Sequence, residues 1–126
     1  MIDHTGIDII AKNPHTAELM GISVKSRSRS TGKEGQYVRI LNDNFPKADE
    51  ACKAFGCTAY FAIVVDECDK IYAFITSKKH LLKLFPMKKN AAGWKMSRAW
   101  IEKYRQDREI KMFEFSHQTI TWWEIL

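Results

Sequence analysis

Two side chains of opposite charge lie in two short, β-branched runs near the start of the chain. Asp8 sits in Gly6-Ile7-Asp8-Ile9-Ile10, and Lys25 closes Gly21-Ile22-Ser23-Val24-Lys25. Between them, Lys12-Asn13-Pro14-His15-Thr16 is a string of turn formers, so the two runs predict a β-hairpin. Alternation puts Ile22 and Val24 on one face and Gly21, Ser23 and Lys25 on the other, while Ile7 and Ile9 lie opposite Asp8. A register therefore exists that brings Asp8 and Lys25 to one face near the middle of a sheet. An acid and a lysine so placed form either a partly buried ion pair or a metal-dependent phosphodiesterase site. In the second case the carboxylate holds Mg²⁺ (or Mn²⁺), and the ammonium orients a water for attack on phosphorus and helps to deprotonate it.

The pattern Gly-Ile-Asp-Ile-Ile-Ala, a turn, then Ile-Ser-Val-Lys-Ser resembles the PD-(D/E)XK nuclease superfamily, over roughly residues 6 to 65. The resemblance implies a restriction-endonuclease-like mixed β-sheet flanked by helices, an α/β domain acting on DNA. It matches Asp8 to the family's first acid and Lys25 to its lysine. Ser23 stands where that family usually has Glu or Asp. Some restriction enzymes of the family also carry Ser-Val-Lys and recruit a carboxylate from the following helix. On that pattern Glu50 is the candidate third ligand, with Glu18 at the far end of the hairpin as the other. Family members usually open with a helix and strand before the Asp, and here they are missing. The alternatives are a fragment, a misassigned start, or a second copy that covers the exposed edge as a homodimer.

Composition sets the outer bounds. The chain has 126 residues, 45% of them hydrophobic and 28% charged, which predicts one globular domain with a modest core. Its formal net charge of +5 suits an anionic partner. No apolar run approaches membrane-span length, and no basic-then-apolar leader opens the sequence. Cys52, Cys57 and Cys68 are odd in number and lack metal-ligand spacing, so they read as reduced, mostly buried thiols of a cytoplasmic protein. His4, His15, His80 and His117 are dispersed.

The elements that must hold the hairpin follow in order. Residues 26 to 36 contain no apolar side chain and carry Arg27, Arg29 and Lys33 against Glu34 alone; this predicts a loop that grips phosphates at the mouth of the site. Tyr37 to Leu41 reads as a short extended stretch. Asn44 is the expected N-cap of a helix ending at Gly56, with Asp49 and Glu50 in its first turn and Ala48, Ala51, Cys52 and Phe55 as its buried stripe. Thr58 to Val65 reads as a central strand buried on both faces, and Lys70 to Thr76 as an antiparallel strand nearer the edge. Ser77 and Ser97 are expected to cap two further helices, separated by a loop from Met87 to Gly93. Glu109 to Phe115 and Gln118 to Ile125 read as final strands, in which one member of each aromatic pair, Phe113/Phe115 and Trp122/Trp123, enters the core.

From Lys78 to Arg105, nine Lys and Arg residues face one acid, Glu102. A solvated surface usually mixes signs, so this block points to a polyanion. Two functions follow. The first is metal-dependent DNA phosphodiester hydrolysis, with Asp8, Lys25 and Glu50 as catalytic residues, Asp8, Glu50 and Glu18 as metal ligands, and Arg27, Arg29 and Lys33 on the phosphate backbone. The alternative is a catalytically inactive nuclease-like domain that binds nucleic acid or serves as an assembly subunit.

Overall fold

A computed structural model describes residues 6–30, 36–68 and 70–116. Its first elements are the expected hairpin: β1 (Ile9–Lys12) runs antiparallel to β2 (Leu19–Ser28), with Ile9 opposite Ile22. Asn13 and Thr16 organise the turn through side-chain oxygens that accept from the His15 and Glu18 amides. β2 runs on to Ser28, three residues beyond the expected end, because it gains a parallel partner in β4 (Thr58–Glu67), from Met20 opposite Thr58 to Ser28 opposite Asp66.

β4 in turn pairs antiparallel with β5 (Lys70–Ser77), and β5 with β7 (Ile110–Ser116). The result is a mixed five-stranded sheet in the order β1-β2-β4-β5-β7. β5 is thus an inner strand, covered on its far side by β7. A separate antiparallel pair joins β3 (Tyr37–Leu41) to β6 (Ala91–Lys95). β6 occupies the end of the expected 87–93 loop; the small residues Ala91, Ala92 and Gly93 hid it as a strand.

Among the described residues, three helices complete the α/β architecture: α1 (Asn44–Phe55), α2 (Lys78–Leu84) and α3 (Arg98–Gln106). α1 starts one residue earlier than expected. Asp43 is its N-cap, without a side-chain cap bond, and Asn44 is its first helical residue. Asp49 and Glu50 therefore fall outside the first turn. Its buried face is Phe45, Ala48 and Cys52, while Phe55 is 54% exposed. Gly56 ends it at φ 68°, a left-handed conformation that glycine adopts at no steric cost. Ser77 and Ser97 cap α2 and α3 as expected, accepting from the His80 and Trp100 amides.

The core lies between one face of the large sheet and the layer formed by the helices and β3–β6. Phe61, Ile63, Val65 and Phe74 meet Ile40, Phe45, Trp94 and Tyr104 there, all essentially inaccessible to solvent. Trp94 stacks on Tyr104 with ring centroids 4.4 Å apart, and Phe74 and Phe85 pack edge-on around them. The Tyr104 hydroxyl donates to Lys95 O at 2.7 Å, which ties α3 to β6. The opposite face of β4 is less covered: Tyr60 and Val64 are half-buried, so the strand is not sealed on both sides. Phe113 and Phe115 are both exposed and stacked on each other, since residues two apart share a strand face. The Gln118–Ile125 strand and Trp122/Trp123 lie outside the described residues.

Candidate functional site

Lys25 lies in β2 and Asp8 alongside it, yet each is engaged with something other than its expected partner. The Asp8 amide donates to Ile22 O at 2.8 Å, and the Asp8 carboxylate accepts from the Val24 amide at 2.8 Å. Asp8 thus continues the β1–β2 ladder with its side chain, satisfying an amide that β1 no longer reaches. The Lys25 ammonium donates to Asn44 Oδ1 at 2.5 Å, at the start of α1. Ser23 is 3% exposed, and its hydroxyl donates to Gly6 O. Where the resemblance led to an acid being expected, a buried hydroxyl therefore holds the chain segment that leads into β1.

The other proposed ligands are elsewhere. Glu18 precedes β2 and accepts from the Tyr60 hydroxyl at 2.8 Å; it lies five residues before Ser23, roughly 16 Å along an extended strand. Burial, then the hydrogen bond and charge of Glu18, push the Tyr60 phenol above its ordinary value. Glu50 is two residues from both Ala48 and Cys52, which face the sheet, so it points about 200° around the helix, into solvent. Mg²⁺ binding of the implied kind needs more than one carboxylate. Asp8 gathers neither Glu18 nor Glu50, so the described residues do not fit that metal.

The loop cations also divide. Arg27 is exposed, with its guanidinium donating to Ser26 O and Arg39 O. Arg29, expected on phosphate, is instead buried. It donates twice to Glu67 Oε2, at 3.0 and 3.2 Å, and once to Met96 O at 3.0 Å. The side chains of this pair are 6% and 12% exposed. Arg27 lies within β2, whereas Arg29 falls just past its end at Ser28, where the strand no longer dictates the side-chain direction and the guanidinium turns inward to Glu67 and Met96 O. Lys33 lies outside the described residues.

One cluster of potential ligands does occur among the described residues. His80 Nε2 is 2.7 Å from Asp107 Oδ2 and His80 Nδ1 is 3.2 Å from Glu109 Oε2. Each ring nitrogen faces its own carboxylate, so the arrangement is a clasp between α2 and the α3–β7 connection. Desolvation works to raise the Asp107 carboxyl, but the His80 and Glu109 hydrogen bonds outweigh it and hold the group below its ordinary value.

The charged surface is more distinctive. Arg27 reaches the backbone of Arg39 on β3. Asn42, just after β3, donates to Lys88 O at 2.7 Å, which fixes the Lys88–Lys89 loop beside it. A run of cations thus extends from β2 across β3 to that loop. It borders a groove of about 520 Å³ lined by Tyr37, Arg39, Lys88, Lys89 and Lys95 together with Phe85, Pro86 and the backbone of β6, and among the described residues no acid lines it. A second depression, between α3 and the large sheet, mixes Arg29, Lys70, Arg98 and Arg105 with Glu67, Glu102 and Glu114, so its charges largely cancel. The sequence block from Lys78 to Arg105 contained all of the groove's lining except Tyr37 and Arg39, which were signalled only by the alternation of Tyr-Val-Arg-Ile-Leu. No family model, curated protein or solved structure matches the chain.

Proposed function

We propose that this is a nucleic-acid-binding domain on a restriction-endonuclease-like scaffold, without hydrolytic activity. The order of elements supports the scaffold: an Asp-bearing hairpin, a lysine strand running parallel to the next strand across a helix, then an antiparallel return. The observation that carries the function is the continuity of Lys25, Arg27, Arg39 and the Lys88–Lys89 loop, linked through Asn44, the Arg39 carbonyl and Asn42. Asp43, the acid nearest this run in sequence, is paired with Lys47 at 3.3 Å. Clustered cations attract phosphates and release their counterions, which supplies affinity without sequence preference. The role of Asp8 in this reading is structural, as an acceptor for the Val24 amide.

The test incubates the protein with plasmid and linear duplex DNA in Mg²⁺ or Mn²⁺, beside Asp8→Ala, Lys25→Ala and Arg27→Ala. Retention without cleavage is expected. Lys25→Ala and Arg27→Ala should each weaken binding and flatten its salt dependence by about one unit of slope, while Asp8→Ala leaves affinity intact. Metal-dependent cleavage lost in Asp8→Ala would overturn this reading and restore a hydrolase.

A further inference from the structure

The small β3–β6 sheet has two unlike faces. Val38, Ile40, Ala92 and Trp94 point inward and are at most 3% exposed. Their neighbours Tyr37, Arg39 and Lys95 point outward, with Tyr37 opposite Lys95 and Arg39 opposite Gly93. Tyr37 is 60% exposed, which is unusual for so large a ring on a paired strand. Its ring lies against Gly93: a Cβ there would come within 2.9 Å of Tyr37 Cδ2. The absent side chain lets the phenol ring rest on the β6 backbone and leave its other side open to solvent.

We propose that this outward face binds an unpaired nucleic-acid strand, with a base stacked on Tyr37 and the backbone phosphates on Arg39, Lys95 and the Lys88–Lys89 loop. The inference rests on the nucleic-acid reading above and deepens it by naming the strand state. Three features select this occupant. An exposed aromatic ring flanked by cations meets both halves of a nucleotide, since stacking needs a π-face and the phosphate needs positive charge. In a duplex the base faces are covered by their neighbours, so Tyr37 can stack only on a base that is not. Arg39, Lys88, Lys89 and Lys95 form no ion pair with a described residue, so no internal carboxylate competes for them. The groove, at about 520 Å³, falls within the span of ligand sites, about 300–1,000 Å³. It accommodates a base and its sugar-phosphate rather than a bare anion.

The experiment measures fluorescence anisotropy of a labelled twenty-residue oligo-dT and of a duplex of the same length, with wild type, Tyr37→Ala, Tyr37→Phe and the double variant Lys88→Ala/Lys89→Ala. Circular dichroism checks that each variant folds. Tyr37→Ala is expected to lose affinity for oligo-dT by about ten-fold, the scale of one base–aromatic contact, with duplex binding unchanged and Tyr37→Phe near wild type. The lysine variant should bind oligo-dT more weakly with a shallower salt dependence. Undiminished oligo-dT binding by Tyr37→Ala, or binding of duplex alone by wild type, would overturn this site while leaving the nucleic-acid reading in place. Wild type that binds neither oligonucleotide would sink both.

Discussion

Arg29 and Glu67 form a buried ion pair in which one carboxylate oxygen accepts from both Nε and an Nη of the guanidinium. The pair joins the residue just past β2 to the end of β4, and the third donor of Arg29 reaches Met96 O, just past β6. Truncating Arg29 leaves the Glu67 carboxylate without its partner in a poorly solvated place. Arg29→Ala is therefore expected to cost about 3–5 kcal/mol, read as a lower urea midpoint. Arg27→Ala, two residues earlier and exposed, should leave the midpoint within about 0.5 kcal/mol. Equal stability of the two variants would show that the pair contributes nothing.

The His80 clasp predicts acid sensitivity with a definite sign. The folded Asp107 carboxyl is held below its unfolded value, so the stability it contributes is complete above the unfolded value, near pH 4, and is lost as pH falls through the folded value. Asp107→Asn should remove that part of the acid transition and cost about 1 kcal/mol at neutral pH. Urea melts at pH 7 and at pH 3 measure both quantities. An Asp107→Asn protein with the wild-type acid profile would contradict the assignment.

Gly21 packs where no side chain fits. A Cβ there would lie 2.5 Å from Cys52 Sγ and 2.7 Å from Cys57 Sγ, so Gly21→Ala is expected to destabilise by about 1–3 kcal/mol through overpacking. The same crowding protects the thiols. Burial first, then the hydrogen bond and charge of Cys57, push Cys52 up to about 12, so it has almost no thiolate at neutral pH. Iodoacetamide followed by mass spectrometry should label the exposed Cys68 first. Cys52 should react only as fast as the protein unfolds, and sooner in Gly21→Ala.

Much of the fold is written in local pattern. The turn formers between Asp8 and Lys25 specified the hairpin, Gly56 stopped α1, and Ser77 and Ser97 capped their helices, because each of these signals acts within a few residues. The misreadings came from long-range pairing. β2 outgrew its expected end because β4 lay alongside it, and β6 was hidden because Ala-Ala-Gly has no strand propensity until β3 pairs with it. The candidate site followed the same rule. Lys25 was placed on the right strand and Asp8 fell just short of β1, but their partners, Asn44 and the Val24 amide, were set by helix position and register. Arg29 looked like a loop cation and became a buried one for the same reason. Mixing of signs around Arg98 and Arg105, and its absence around Arg39 and Lys88, is a property of the folded surface that no linear window contains.

The outward face that carries Tyr37 depends on partners far apart in the chain. Val38 opposite Trp94 spans fifty-six positions, whereas the β4–β5 hairpin closes at Glu67 opposite Lys70. Loop closure over the longer interval is entropically dearer and comes after the short contacts have formed. During synthesis the ribosome must have released β6 before β3 gains its neighbour, so the phenol ring acquires its glycine bed late. The basic strand end at Lys25 and Arg27, paired with β4 some thirty residues earlier in the chain's emergence, exists first. A nascent polypeptide therefore forms its cationic strand end before it forms the exposed face that carries Tyr37.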